Sequence, residues 1–162
     1  YKLHNLKLMK RLISTIIFII ISGCGFKIVN VSELNNFSII NISSSGDKRI
    51  NYIIKNNILY GTKKNEENQI TINLNTKKNK NIKERNIKNE ITKYDITINA
   101  SIVFKKINKE KDYNFIITKS GSFSAEKQNS NTRNNEKNLI DNLGTLLNEK
   151  VIDQISLRIN DN

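Results

Sequence analysis

The residues able to carry covalent chemistry are few. The chain of 162 residues has one cysteine, Cys24, and one histidine, His4, so beyond residue 24 it holds neither thiol nor imidazole. Thiolate or imidazole zinc sites, Cys-His nucleophile pairs and Ser-His-Asp triads each need one of those groups, and a disulfide within the chain needs two cysteines. All of these are excluded after Cys24. Carboxylates do not fill the gap. They are scattered over turns, a basic stretch and the last helical segment, and Asp95, the one carboxylate inside a strand pattern, falls on its outward side. No phosphate-cradling glycine loop is present. The chain reads as non-enzymatic, without a metal site and with one chemically distinctive residue.

The surroundings of Cys24 define its chemistry. Met9 is followed by Lys10 and Arg11 and then by the apolar run 12–21. A basic pair and about ten apolar residues make a secretory signal peptide, too short for the roughly 20 residues of a spanning helix. Residues 1–8 read as upstream read-through before a start at Met9. The run closes on Ile21-Ser22-Gly23-Cys24, which resembles the lipobox of bacterial lipoproteins: an aliphatic residue, two small residues, then cysteine. Small side chains at Ser22 and Gly23 let a peptidase reach the backbone. The resemblance implies a signal peptide over 1–23 cut between Gly23 and Cys24, with diacylglycerol on the thiol and a further acyl chain on the new amino terminus. Each buried methylene contributes roughly 0.8 kcal/mol, so one acyl chain holds weakly and two or three hold almost permanently. Beyond this covalent lipid no cofactor is expected.

Charge adds less than its size suggests. The formal charge is +12, from 27 Lys and Arg against 15 Asp and Glu. Four of the basic residues (Lys2, Lys7, Lys10, Arg11) lie ahead of Cys24, leaving 23 against 15, or +8. Lys77, Lys78, Lys80, Lys83, Arg85 and Lys88 form the densest basic stretch, interrupted by Glu84 and Glu90 and with no aromatic among the charges. Base stacking needs interleaved aromatics, so nucleic acid fits poorly. Lysines act as point charges toward phosphorylated head groups, and these six are the candidate contacts for lipopolysaccharide or another anionic lipid. The bland alternative is a solvated basic loop.

The elements that would position these residues follow from periodicity. A tether over 24–35 leads into a single domain over 36–160. Residues 37–44 read as an Ile-rich strand closed by Ser43-Ser44-Ser45-Gly46-Asp47. From Lys48 the apolar residues Ile50, Ile53, Ile54 and Ile58 fall at helical spacing, and Gly61 follows where a helix would stop. Ile70, Ile72 and Leu74 alternate with polar residues over 69–75, giving a second strand. Residues 76–90 hold only Ile82 and Ile87 as aliphatic residues and read as a solvated loop, with strand extensions at either end. Tyr94, Ile96, Ile98, Ala100, Ile102 and Phe104 then occupy every even position of a long strand. Lys109-Glu110-Lys111-Asp112 is a polar turn, and Tyr113, Phe115, Ile117 and Phe123 line its antiparallel partner. After a polar linker over 128–135, Ile140, Leu143, Leu147, Val151 and Ile155 mark a closing helix. The expected fold is α+β, a four-stranded largely antiparallel sheet with two helices packed on one face. The opposite face of the hairpin carries Thr97, Asn99, Ser101, Thr118, Ser120, Ser122 and Ser124, suited to water or to a wet, polar partner.

With these elements in place the chain resembles the LPS-assembly lipoprotein LptE family. The shared features are the lipobox running into Gly23-Cys24-Gly25-Phe26, the length and order of elements, and a last helix running from Asn142-Leu143 through Val151-Ile152 to Ile155. The resemblance implies a lipid-anchored protein on the periplasmic face of the outer membrane. Its partner would be the LPS-translocating β-barrel, which it plugs and helps to assemble, with lipopolysaccharide bound during delivery to the cell surface. Gly25 after the cysteine is similar to lipoproteins released to the outer membrane. The absence of proline and the Lys- and Asn-rich stretch depart from the pattern. Three alternatives stay open: another envelope-assembly or secretion accessory lipoprotein, a lipid-carrying periplasmic chaperone with an apolar cavity, and an anchored basic protein that gathers polyanions.

Overall fold

The computed structural model describes residues 37–61 and 67–160. The elements run β1 (Ser38–Gly46), α1 (Lys48–Gly61), β2 (Gln69–Arg85), β3 (Ile91–Lys106), β4 (Asp112–Ser124) and α2 (Asn129–Asn160). The strands form one sheet in the order β1-β2-β3-β4. β1 pairs parallel to β2 across α1, whereas β2–β3 and β3–β4 are antiparallel neighbours. This is the α+β architecture expected from the alternating and helical periods, with one parallel pair added.

One face of the sheet builds the core. Ile96, Ile98, Ala100, Ile102 and Phe104 of β3 are buried, joined by Ile70, Ile72 and Leu74 of β2 and Ile42 of β1. Ile50, Ile54 and Ile58 descend from α1 at a spacing of four; Ile140, Leu143, Leu147, Val151, Ile155 and Ile159 descend from α2. Both sets place one apolar stripe per helix against the pleat. The helices meet at Gly144, where a Cβ would stand 3.0 Å from Ile53 Cγ2, so a larger residue would push them apart. Phe104 stacks on Tyr113 at 4.9 Å and meets Phe115 edge-on, and Arg158 of α2 lies over the Phe115 ring.

The turn from β1 into α1 is fixed by polar contacts to the middle of β2. Gly46 has φ +94°, and a Cβ there would fall 1.9 Å from the Thr76 carbonyl oxygen, so both the backbone conformation and the space demand glycine. Asp47 then caps α1, its Oδ1 accepting from the amides of Arg49 and Ile50 at 3.1 Å each. The buried Asn51 donates to the Ser45 carbonyl and accepts from the Thr76 hydroxyl at 2.8 Å. Every polar group brought inside at this corner is thereby satisfied by a named neighbour.

Two boundaries differ from the sequence reading. The loop expected over 76–90 is strand as far as Arg85: Thr76 to Arg85 continues the β2 ladder against Ala100 to Ile91, and only 86–90 turns. The turn is an Asn86-centred loop in which Asn86 Oδ1 accepts from the amides of Lys88 and Glu90, with Asn89 in the left-handed region at φ 61°. The apolar signal is weak because the helix side of this stretch carries Lys78, Lys80 and a single aliphatic, the exposed Ile82. Lys80 Nζ stands 4.4 Å from the Tyr94 ring centroid and 5.0 Å from that of Phe123, its stem crossing the sheet. The linker expected over 128–135 is the first two turns of α2. These are polar because they face solvent, and they are tied to the end of β4 by Thr132 and Asn135, which bond the Glu126 and Ser124 backbone.

Candidate functional site

Both helices pack on one face of the sheet, and among the described residues no element covers the other. The registers arrange that open face in seven rows, with Asn41, Thr71, Lys105 and Asp112 at one end, Glu84, Lys93 and Ser124 at the other, and five between them. Ser43, Asn73, Val103 and Asn114 make one, followed by Ser45, Asn75, Ser101 and Ile116. Lys77, Asn99 and Thr118 come next, then Asn79, Thr97 and Ser120, then Asn81, Asp95 and Ser122. Amides and hydroxyls dominate, with Val103 and the largely exposed Ile116 as an apolar spot. The seven polar residues read from the hairpin pattern therefore share a face, and β2 adds four asparagines to it. Asn73 and Asn75 already alternate with Ile70, Ile72 and Leu74 in the sequence, whereas Asn79 and Asn81 lay in the stretch read as loop. An open hollow of about 400 Å³ lies between β1, β2 and β3, lined by Ser43, Ser45, Asn73, Asn75, Ser101 and Val103 among others.

Several of these groups bond to one another across the strands. Ser43 donates to Asn73, and Thr118 donates to Asn99 Oδ1 at 2.7 Å. The tightest cluster stands at the row of Asn81, Asp95 and Ser122, where Ser122 Oγ donates to Asp95 Oδ1 at 2.6 Å and Lys83 Nζ donates to Ser122 Oγ at 2.7 Å. Lys83 also lies 3.1 Å from Asp95 Oδ1. The Ser122 hydroxyl bond, assisted by Lys83 and by the charge of Lys93, holds the Asp95 carboxyl below its ordinary range against a desolvation cost. The distances look like a Ser-Lys nucleophile pair, but the directions oppose it. The lysine donates to the hydroxyl instead of accepting its proton, and that proton goes to a carboxylate on an open surface. Such an arrangement fixes side chains; it does not activate a nucleophile.

The pleat divides the six basic residues proposed as lipid contacts. Lys78 and Lys80 point to the helix side, where Lys78 approaches Asp47 at 3.6 Å and Lys80 pairs with Glu136 at 2.6 Å. Lys77 lies on the open face and makes no ion pair among the described residues. Lys83 is on that face too, through the bulge between Ile82 and Glu84, and is engaged with Asp95. Arg85 donates to the Asn89 carbonyl, and Lys88 stands in the turn beside the fully exposed Ile87. Lys77 on one side and Arg85 with Lys88 at the hairpin end are therefore the basic groups left for an outside partner. Cys24 and the lipobox residues Ile21, Ser22 and Gly23 lie outside the described residues.

Among the described residues no helix is long and apolar enough to cross a membrane, and no cluster of three or more His, Cys, Asp or Glu side chains could hold a metal ion.

No family model and no curated protein matches the chain. Solved structures do. A lipoprotein B from Nitrosomonas europaea is similar at a TM-score of 0.56 and 14% identity, over 82% of this chain and 90% of that one. A candidate lipoprotein from Caulobacter crescentus is similar at a TM-score of 0.50 and 8% identity, over 73% and 89%. A rare lipoprotein B from Shewanella oneidensis is similar at 0.44 and 14%, over 74% and 89%. At such identities the likeness to the first two establishes a shared fold, spanning most of each chain.

Proposed function

We propose that this chain is an outer-membrane lipoprotein, anchored by lipid on Cys24 to the periplasmic leaflet, that plugs and helps to assemble the LPS-translocating β-barrel. The observation that carries the reading is the sheet face left uncovered among the described residues, whose five middle rows are mostly short amide and hydroxyl side chains. The lumen of a wide barrel is polar and wet, and a rigid, nearly neutral face of donors and acceptors can meet it through direct and water-bridged bonds. The lipobox pattern supports the anchor, and the fold shared with structures described as lipoproteins is in keeping with it. Lipopolysaccharide would be met by the basic groups without an ion pair among the described residues, Lys77, Arg85 and Lys88, while Lys78 and Lys80 serve the fold. No reaction is catalysed in this reading.

The test is co-purification from native membranes. The wild-type chain should carry radiolabelled fatty acid and bring down the barrel subunit of the same genome, whereas Cys24→Ala should lose the label. A variant with Asn75, Asn79 and Thr97 all changed to Lys should keep the label and the fold but lose the barrel. Retention of the barrel by that variant would remove the plug reading.

A further inference from the structure

The sheet has two edges, and they are not alike. β4 carries Asp112 and Lys119, and the first turns of α2 are tied to its end. β1, by contrast, has the sequence Ser-Ile-Ile-Asn-Ile-Ser-Ser-Ser-Gly, with no charge and no proline in nine residues. Charges, prolines and bulges are the usual means of keeping a sheet edge from pairing with another chain. The single irregularity in β1 falls between Ile39 and Asn41, so it disturbs the beginning of the strand and leaves residues 42–46 regular. Ser43, Ser44, Ser45 and Gly46 are exposed there. Among the described residues β1 has a strand neighbour on one side only, β2, and Asn51 of α1 donates to its Ser45 carbonyl. Each second residue of such a strand turns its amide and carbonyl outward.

Alongside this stretch lies another open hollow, of about 400 Å³, lined by Ser44, Ser45, Gly46, Lys48, Asn51, Tyr52 and Lys55. Lys48, Tyr52 and Lys55 stand at i, i+4 and i+7 of α1, on one helical face. Tyr52 is 68% exposed, a large ring left in water, and neither flanking lysine has a salt-bridge partner among the described residues. Asp47, the nearest acid in sequence, is occupied with the α1 cap and with Lys78. A free strand edge, an aromatic surface and two uncommitted cations therefore converge on one groove.

We propose that this groove docks an extended acidic peptide strand from another protein, added as a fifth strand along residues 42–46 of β1. The peptide backbone would take the outward amides and carbonyls, an apolar side chain would lie on Tyr52, and carboxylates would face Lys48 and Lys55. This is strand addition, in which the ladder supplies affinity and the neighbouring side chains supply selection. A second copy of the chain is the poorer occupant, because a net charge of +8 from Cys24 onward repels itself and the groove brings more lysine to meet lysine. The inference goes beyond the plug reading and does not rest on it.

The experiment is selection of a random decapeptide library against the purified full chain, followed by binding measurements on the recovered peptides. Recovered sequences should be rich in Asp and Glu alternating with β-branched residues, and their binding should shift the amide resonances of Ser43, Ser44 and Ser45. Methylating alternate peptide nitrogens should weaken binding about tenfold for one of the two alternating sets and little for the other, because a strand bonds its neighbour through one side only. The surface double variant Lys48→Glu with Lys55→Glu, its fold checked by circular dichroism, should bind the acidic peptides about tenfold less tightly and select basic ones instead. The proposal is overturned if no acidic preference emerges, if both methylated sets bind alike, or if the double variant keeps the wild-type preference.

Discussion

The two faces of β3 share one backbone and differ in almost everything else. Its even positions from Ile96 to Phe104 are sealed under the helices, while Thr97, Asn99 and Ser101 between them look out across an uncovered sheet. The covered face is a packing problem, with apolar area removed from water and side chains interlocked. The open face is a bonding pattern, short groups held in rows by the register and available to something else. Stability should therefore reside on one face and recognition on the other, and a substitution that moves both would break the distinction.

The largest expected effect tests the covered side. Phe104 is buried and stacks on Tyr113, so Phe104→Ala should remove about 3–5 kcal/mol of unfolding free energy, the usual cost of truncating a core aromatic. Asn99→Ala, five positions back on the open face, should stay within about 0.5 kcal/mol even though it removes the acceptor for Thr118. Urea unfolding of both variants measures the difference. If Asn99→Ala cost as much as a core truncation, the open face would have to be counted as part of the packing.

The same comparison is sharper on β2, where neighbouring lysines fall on opposite faces. Lys80 lies across the Tyr94 and Phe123 rings and pairs with Glu136, whereas Lys77 stands alone between asparagines. Lys80→Ala should cost about 1 kcal/mol through the lost ring contacts and stem packing. Lys77→Ala should be close to neutral in stability and should instead lower affinity for lipopolysaccharide at low salt. Thermal unfolding and a binding titration at two salt concentrations separate the two roles.

These lysines also explain where the sequence stopped being legible. Element order, the core positions of β3 and the apolar stripes of both helices could be read because each buries its period-two or period-3.6 set. β2 beyond Thr76 could not, because its helix-side positions hold Lys78, Lys80 and only one aliphatic, Ile82. Its strand character is imposed by the partner strand, whose own alternation was plain. The first turns of α2 were missed for a related reason: they bury almost nothing, and hydrogen bonds to the end of β4 hold them. The parallel pairing of β1 with β2 had no local signal either, since it depends on α1 carrying the chain back along the sheet. Of the open face, the half contributed by the hairpin was visible in the alternation, as were Asn73 and Asn75 of β2, whereas Asn79 and Asn81 needed the register.

The smallest expected effect belongs to Asp95, a titrating group that the open face perturbs. Ser122, then Lys83 and Lys93, favour the ionised form of Asp95, so its folded value lies below the ordinary 3.8. A lowered carboxyl value stabilises the fold above the unfolded value and loses that contribution as pH falls through the folded one. Stability should therefore decline slightly below about pH 4, and Asp95→Asn should flatten that part of the pH profile while leaving stability at pH 7 nearly unchanged. Ser122→Ala should bring the Asp95 titration, followed by carboxyl NMR, back toward the ordinary value, because it removes the main bond to the carboxylate. A large loss at neutral pH in either variant would mean that the row through Asn81, Asp95 and Ser122 carries the fold. The open face would then be a second structural layer instead of a surface held ready for a partner.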